Sequence, residues 1–220
     1  MGKNKLSRFA EMETFHLVFQ PEVDFHSPDT TLKGNWDTNV FKNNNPIVLE
    51  VGCGRGEYTV NLAQRYPNKN FIGIDIKGAR MWRGAKTANE QNILNAAFLR
   101  IRMELIEKFF GNNEVSEIWI TFPDPQPRES KENRRLISPM FINRYKNFLK
   151  SGSVIHLKTD NKQLFDYAHQ MVKTEGYHVI TATDNLYAQN NIGIDLDIKT
   201  TYEKRFLAEG INICYLCFHI

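Results

Sequence analysis

The chain has 220 residues, of which 41% are hydrophobic and 24% are charged, an ordinary composition for a globular protein that excludes disorder throughout. It contains no run of about 18 apolar residues and no long apolar N-terminal stretch, so we expect neither a membrane span nor a secretory signal. The three cysteines, an odd and sparse count, argue against a disulfide scaffold and favour a reducing cytoplasm. The net charge of +3 is too weak to identify a partner.

The first 46 residues show weak periodicity, and residues 26–46 are rich in Asn, Asp, Thr, Gly and Pro, which favours loop structure. We therefore expect residues 1–46 to form a partly flexible N-terminal arm with one short helix. From residue 47 onward a regular alternation begins, which predicts a single domain over residues 47–220.

In that domain, short apolar runs typical of strands buried on both faces alternate with stretches of helical period. The predicted strands are Ile47–Val51, Phe71–Ile74, Ala97–Ile101, Val115–Phe122, Ser153–Leu157, Tyr177–Thr181 and Ile211–Ile220. The predicted helices are Gly56–Tyr66, Lys77–Gln91, Met103–Phe110, Pro139–Leu149 and Asn161–Glu175. This order predicts an α/β fold, a Rossmann-like, doubly wound and mostly parallel seven-stranded sheet with helices on both faces.

A glycine-rich turn, EVGCGRG at residues 50–56, follows the first predicted strand. Glycine allows positive φ and close approach of a ligand to the backbone, and open α/β sheets bind ligands beyond the carboxyl ends of their strands. Asp75 ends the second strand, 19 residues after this motif, where its carboxylate could accept hydrogen bonds from ribose hydroxyls. The dinucleotide pattern G-x-G-x-x-G fails because Glu57 takes the place of its third glycine. A tight turn without a ligand is the alternative.

The fourth predicted strand runs into a proline-rich loop, FPDPQPR at residues 122–128. Its three prolines stiffen the chain, so we expect Asp124 to be held at the carboxyl edge of the sheet, where it could position a substrate base. An Asp that only forms a turn is the alternative. Between Arg128 and Lys150 the net charge is about +5, which could attract phosphates or could be a solvated helix face.

These motifs resemble those of known families. The turn at residues 50–56, together with Asp75, resembles motif I of class I S-adenosylmethionine-dependent methyltransferases. The proline loop, followed by Arg134 and Arg135, resembles the signature of bacterial tRNA (guanine-N7)-methyltransferases. KTDN at residues 158–161 and TTYEKRF at residues 200–206 resemble later motifs of that family in the same order. The resemblance covers residues 47–220 and implies methyl transfer from S-adenosylmethionine to N7 of guanine 46 in the variable loop of tRNA.

The resemblance also implies the site residues. Those that bind the cofactor would be Glu50, near its amino-acid end, Asp75, on the ribose, and Gly52, Gly54, Arg102 and Asp124. Those that bind the substrate would be Arg128, Asp160, Thr200, Thr201, Tyr202 and Glu203. Asp124 would in addition be the catalytic residue, and we expect no metal.

Three positions depart from the family pattern, and a frequent His later in the proline loop is absent. Gln126 stands where Trp is usual. Arg128 replaces a Lys, which keeps the positive charge but exchanges a compact ammonium group for a planar guanidinium group. Arg102 stands where the family often has an acid that contacts the adenine side. Because arginine accepts no hydrogen bonds, that contact would be made by the backbone or lost.

The implied chemistry needs no general base, because guanine N7 carries a lone pair and no proton. Catalysis should come mainly from alignment of N7, methyl and sulfur. Asp124 and Asp160 would accept from the guanine N1–H and exocyclic amine, and their charge would favour the developing cation. The target guanine would first have to be exposed from the tRNA core.

Two other functions compete with this one. A class I methyltransferase acting on a small molecule or another RNA is disfavoured by the four ordered motifs and the basic loop. An RNA-binding module with a decayed cofactor site is disfavoured because the acids and glycines of the motifs are intact. Cys214 and Cys217 lie in an apolar run and are interpreted as packing residues, and the six histidines lack the spacing of metal ligands. We expect no obligate protein partner.

Overall fold

In the computed structural model, which describes residues 3–189, 193 and 195–220, strands and helices alternate along the chain. The strands of this part are Val18–Phe19 (β1), Ile47–Val51 (β2), Asn70–Asp75 (β3), Ala96–Arg100 (β4), Val115–Thr121 (β5), Leu149–Thr159 (β6), His178–Thr183 (β7) and Cys214–His219 (β8). Its α-helices are Lys3–Glu13 (α1), Glu57–Arg65 (α2), Gly78–Glu90 (α3), Pro139–Lys146 (α4), Lys162–Thr174 (α5) and Thr201–Ala208 (α6).

The strands form one sheet in the order β1-β4-β3-β2-β5-β6-β8-β7. Neighbouring strands are parallel except at β8, which runs antiparallel to β6 and β7. The chain passes from β2 outward to β3 and β4 and then returns to β5 on the other side of β2. Such a reversal opens a crevice at the carboxyl ends of the central strands. The predicted doubly wound, mostly parallel sheet is confirmed.

The two faces of the sheet carry separate apolar clusters, because successive side chains of a strand point to opposite sides. Val48 of β2 packs in a cluster with Tyr58 of α2 and Met81 of α3. Its neighbour Leu49 packs in the other cluster with residues of α4 and α5. Every residue of β2 is buried, which explains why this strand is apolar along its length except at Glu50.

The sheet has one strand more than predicted, and this strand comes from the N-terminal segment. Val18 pairs with Phe98 of β4 in parallel, and a strand of two residues is too short to show a period in sequence. The short helix expected in this segment is α1, and its Met12 is fully buried. Trp36 lies in a stretch predicted to be loop, yet it is fully buried and donates a hydrogen bond to the carbonyl of Phe109 (2.8 Å). The division between residues 1–46 and residues 47–220 stays a prediction.

Three helical segments differ from the sequence prediction. Residues 103–108 form a 3₁₀ segment where an α-helix was expected. Helix α4 ends at Lys146 because the chain enters β6 at Leu149. Helix α6 was not predicted; Thr200 caps it by accepting a hydrogen bond from the amide of Glu203 (3.1 Å). Among the described helices, none is long and apolar enough to cross a membrane.

Candidate active site

A cleft of about 510 Å³ opens where the central strands end. Its walls come from the turn after β2, the end of β3, the loop after β5, the end of β6 and the start of α6. Eight residues predicted for the site line it: Glu50, Gly52, Gly54, Asp75, Asp124, Asp160, Thr200 and Tyr202. Motifs that are far apart in sequence therefore meet at one edge of the sheet.

At Gly52 and Gly54 the glycine turn brings backbone to the wall of the cleft. Gly52 and Gly54 have φ values of +76° and +54°, which glycine adopts without strain. The amide of Gly52 donates to the carbonyl of Ile74 (2.8 Å), so the turn is tied to β3. A Cβ atom on Gly52 would lie 2.9 Å from the Leu136 side chain across the cleft. A larger residue would thus occupy the space that a ligand needs.

Asp75 holds the glycine turn with one carboxylate oxygen and the start of α3 with the other. Its Oδ2 accepts from the amide of Gly54 (2.9 Å), and its Oδ1 accepts from the amide of Lys77 (2.7 Å). A carboxylate has about four acceptor positions, so both oxygens keep capacity for a further donor in the cleft. This geometry suits recognition of a ribose diol by a fixed acceptor.

Glu50 is a buried carboxyl at the floor of the cleft. Its Oε1 accepts from the hydroxyl of Thr121 (2.6 Å), and its Oε2 accepts from the amide (2.8 Å) and the hydroxyl of Thr59. Burial raises the pKa of Glu50 to about 7 against the opposing effect of these hydrogen bonds. A cationic group entering the cleft near Glu50 would favour its ionised form.

The proline loop fixes Asp124 at the rim of the cleft. Phe122 and Gln126, on either side of Asp124, both have positive φ, +48° and +45°, which non-glycine residues adopt rarely. Asp124 is exposed, and its Oδ1 accepts from the amide of Gln126 (3.2 Å). The loop thus presents a carboxylate on a stiff, strained support that opens to the cleft.

Asp160 and the start of α6 form the opposite part of the wall. Asp160 follows β6 directly, and burial raises its pKa. Thr201 donates from its amide (2.7 Å) and hydroxyl to Glu57 at the start of α2, so α6 is tied to the helix that follows the glycine turn. This link leaves Tyr202, which is 38% exposed, on the wall of the cleft.

Glu203 was predicted to contact substrate, but the structure buries it beneath the wall. Its Oε1 lies 2.8 Å from the ammonium of Lys158, and both side chains are fully buried. The same oxygen accepts from the hydroxyl of Tyr187 (2.5 Å), whereas Glu203 Oε2 accepts no hydrogen bond from the described residues. Lys158 also donates to the carbonyls of Leu196 (2.9 Å) and Ile198 (3.1 Å). The pair therefore joins β6 to α6 and to the segment before it.

Arg102 and Arg128 lie outside the cleft walls formed by the described residues. The guanidinium of Arg102 lies over the ring of Phe25 (5.3 Å), and it is Met103, the next residue, whose side chain lines the cleft. Arg128 is exposed at the start of a 3₁₀ segment. A side-chain role for either residue in the cleft is therefore not supported by this geometry.

Leu136, Met103 and Arg80 also line the cleft and were not singled out from the sequence, whereas Phe122 and Arg134 were named there only as parts of motifs. Phe122 precedes the proline loop, and its ring lies 5.9 Å from the ring of Phe206 on α6. Apolar cleft residues carry no signal of their own in one sequence, because they resemble core residues. Only their position at strand ends could have indicated them.

All three cysteines are buried and free. Within the described ranges, no group of three or more His, Cys, Asp and Glu side chains is arranged to hold a metal ion.

Comparisons with known proteins agree with this geometry. A family model described as a putative methyltransferase matches residues 44–216. Among solved structures, a 30S ribosomal A1408 methyltransferase from an uncultured bacterium is 18% identical with a TM-score of 0.60, over 90% of this chain and 94% of that one. At that identity the likeness concerns the fold alone.

Curated relatives are much more similar in sequence. The tRNA (guanine-N(7)-)-methyltransferase of Christiangramia forsetii is 49% identical over 100% of this chain and 99% of its own length. The enzyme of the same name from Clostridium acetobutylicum is 36% identical over 94% of this chain and 92% of its own length. The chain therefore belongs to the tRNA (guanine-N(7)-)-methyltransferase family.

Proposed function

We propose that this chain transfers a methyl group from S-adenosylmethionine to N7 of guanine 46 in the variable loop of tRNA. The observation that carries the proposal is a cleft lined by the glycine turn and Asp75 on one side and by the carboxylates of Asp124 and Asp160 on the other. Relatives of the same name match the chain over its whole length, which supports tRNA as the substrate. The chemistry of the cleft supports a site for a nucleoside cofactor beside a site for a base.

The residues of the cleft fit S-adenosylmethionine. Gly52 leaves room that a Cβ would take, and Asp75 keeps free acceptor positions for ribose hydroxyls. Glu50 is a buried carboxyl that a cationic amino group would favour in its ionised form. When bound, the cofactor supplies an electrophilic methyl group on a positively charged sulfur. Asp75 and the glycine backbone would hold the nucleoside part, and Glu50 would lie near the amino-acid part.

On the substrate side, the chain's own groups orient the base and stabilise charge. Asp124 and Asp160 would accept hydrogen bonds from guanine N1–H and the 2-amino group, which turns N7 toward the methyl donor. Their negative charge lowers the energy of the purinium that forms when N7 is methylated. Because N7 carries no proton, neither acid has to act as a base, and the contribution of the protein is alignment and electrostatics.

A purified sample of this chain incubated with a tRNA transcript and S-adenosylmethionine tests the proposal. Reduction with borohydride and cleavage with aniline should cut the RNA at guanine 46, and a transcript with adenine at that position should stay intact. Because only one protein is present, the same experiment tests the proposal that no obligate protein partner is needed. A tRNA substrate also makes the cytoplasm the proposed site of action.

Other results would point to other functions. Cofactor binding without any RNA cleavage would favour a methyltransferase for a different substrate. Binding of tRNA without measurable binding of S-adenosylmethionine by isothermal titration would favour an RNA-binding module.

A further inference from the structure

A second cavity, of about 260 Å³, is lined mainly by arginines. We refer to it as the arginine pocket, and its lining residues are Arg8, Arg55, Ala79, Arg80, Trp82 and Arg83. They come from α1, the glycine turn and α3, so the cluster is assembled by the fold and is not visible as a run of charges in sequence.

Trp82 organises two of the guanidinium groups. The guanidinium of Arg8 lies 4.6 Å and that of Arg83 5.4 Å from the centre of the Trp82 ring, distances at which a cation is attracted to an aromatic face. Arg8 also donates to the carbonyl of Ala79 (3.2 Å), and Arg83 donates to the hydroxyl of Thr87 (2.9 Å). Both cations are therefore held in place before any ligand arrives.

The positive charge of the arginine pocket is only partly compensated. Arg83 lies 3.5 Å from Glu90, and Arg55 lies 3.9 Å from Glu57, both in long, partly exposed pairs. Within residues 3–189, 193 and 195–220, neither Arg8 nor Arg80 forms an ion pair, and Arg80 is exposed. No acidic side chain of these ranges lines the pocket. Four guanidinium groups around one cavity repel one another unless an anion lies between them.

The arginine pocket adjoins the cleft, since Arg55 and Arg80 line both. An anion in the pocket would therefore be a neighbour of whatever occupies the cleft. Guanidinium is a planar fork that matches the oxygens of a phosphate group. In a tRNA-modifying enzyme, the phosphates next to the target nucleotide are anions that must lie near the cleft.

We propose that the arginine pocket binds a phosphate of the tRNA backbone close to the target guanine. The inference rests on the proposed function, because it takes tRNA as the ligand of the cleft. It adds a contact surface on the α1–α3 side of the cleft, far in sequence from the basic stretch at residues 128–150. Phosphate contacts fix the register of a nucleic acid on a protein without reading its sequence.

The test compares tRNA binding by the wild type, Arg80→Gln and Arg83→Gln across salt concentrations. Arg80 makes no ion pair that its replacement could break within the described chain, and Arg83 does not line the cleft. For each variant, the Kd of tRNA should rise about 10-fold at about 0.1 M salt, and the slope of log K against log salt should become shallower by about 1. Lys173→Gln is the matched control, an exposed lysine at the end of α5, and it should keep the wild-type slope and rate.

Binding of S-adenosylhomocysteine to Arg83→Gln shows that the variant is folded. If wild-type protein methylates tRNA but both variants keep its salt slope, the arginine pocket does not bind RNA and the proposal is overturned, whereas the proposed function stands. If the wild type methylates no tRNA, the proposed function itself fails. Saturable binding of inorganic phosphate that depends on Arg80, with tRNA affinity unchanged in the variants, would assign the pocket to free phosphate and also overturn the proposal.

Discussion

Glu50 is the one charged side chain in a strand whose five residues are all buried. Burial raises its pKa from 4.5 to about 7, so the folded protein keeps a proton that the unfolded chain releases. Between these two pH values the unfolded state binds fewer protons, and folding stability attributable to Glu50 falls as the pH rises. A group arranged in this way costs stability once it is ionised.

The corresponding prediction concerns Glu50→Gln. The free energy of unfolding of the wild type, relative to this variant, should decrease by about 3 kcal/mol as the pH rises from about 4.5 to 7 and then stay level. Urea unfolding at several pH values measures it. Parallel pH profiles for the two proteins would show that the pKa of Glu50 is the same in the folded and the unfolded state, against this prediction.

Asp124 carries the chemical part of the proposal at the scale of one residue. Asp124→Asn keeps the shape of the side chain but removes its charge and turns an amide hydrogen toward the guanine donors. Single-turnover methylation should slow by about 10²-fold, the scale for one preorganised electrostatic group, whereas tRNA affinity should change little, because phosphates dominate it. The control is Asp29→Asn, which removes the charge of an exposed acid that pairs with Lys33 (2.9 Å). A wild-type rate for Asp124→Asn would leave Asp124 as a turn residue.

At the scale of elements, α6 is held over β6 by a buried ion pair, Lys158 with Glu203. The resemblance implies that this carboxylate contacts substrate, yet it lies under the wall that Thr200 and Tyr202 form. Burial lowers the pKa of Lys158, while Glu203 acts in the opposite direction. A buried pair of this kind stabilises little in itself, but breaking it leaves an uncompensated charge in the core.

Lys158→Met should therefore destabilise the protein by about 3–5 kcal/mol, and adding Glu203→Leu should recover part of that loss. Chemical unfolding of the two single variants and the double variant forms a double-mutant cycle that isolates the pair. Glu203→Gln tests the alternative role. If this variant kept full stability but methylated tRNA slowly, Oε2 of Glu203, which accepts no hydrogen bond from the described residues, would be assigned to contact with the guanine.

The central strands could be predicted from sequence because burial on both faces makes them apolar throughout, as in Ile47–Val51. The glycine turn and the proline loop could also be predicted, because their backbone conformations require glycine or proline at particular positions. β1 and α6 were missed for physical reasons: two residues of β1 carry no period, and α6 is set by its cap at Thr200 and its buried pair rather than by an apolar stripe. Arg102 was assigned to the cofactor site from its position in a motif, but its side chain lies over the ring of Phe25.

At the scale of the whole molecule, positive charge lies on both sides of the cleft. The arginine pocket is on the α1–α3 side, and Arg134 lines the cleft from the other side. The sequence showed only the second group, as a basic stretch, because the first is brought together by the fold. A tRNA that reaches the cleft can thus contact cations on two walls at once, which fixes its orientation better than either patch alone.

The basic stretch contains one arginine that lines the cleft and another that pairs with an acid of the protein, and we expect charge reversal at the two positions to have different effects. Arg134 is exposed and lines the cleft, whereas Arg144 pairs with Glu107 (2.5 Å) and donates to the carbonyl of Glu104 (3.1 Å). Arg134→Glu should weaken tRNA binding and make its salt dependence shallower by about 1–2 in slope. Arg144→Glu places two acids together, so it should lower the free energy of unfolding by about 1–3 kcal/mol and leave the salt slope of the folded protein unchanged. Filter binding across salt concentrations and urea unfolding separate the two effects. If Arg134→Glu and Arg144→Glu changed the slope of log K against log salt equally, the basic stretch would attract RNA only through its total charge. A specific contact between Arg134 and the RNA would then be excluded.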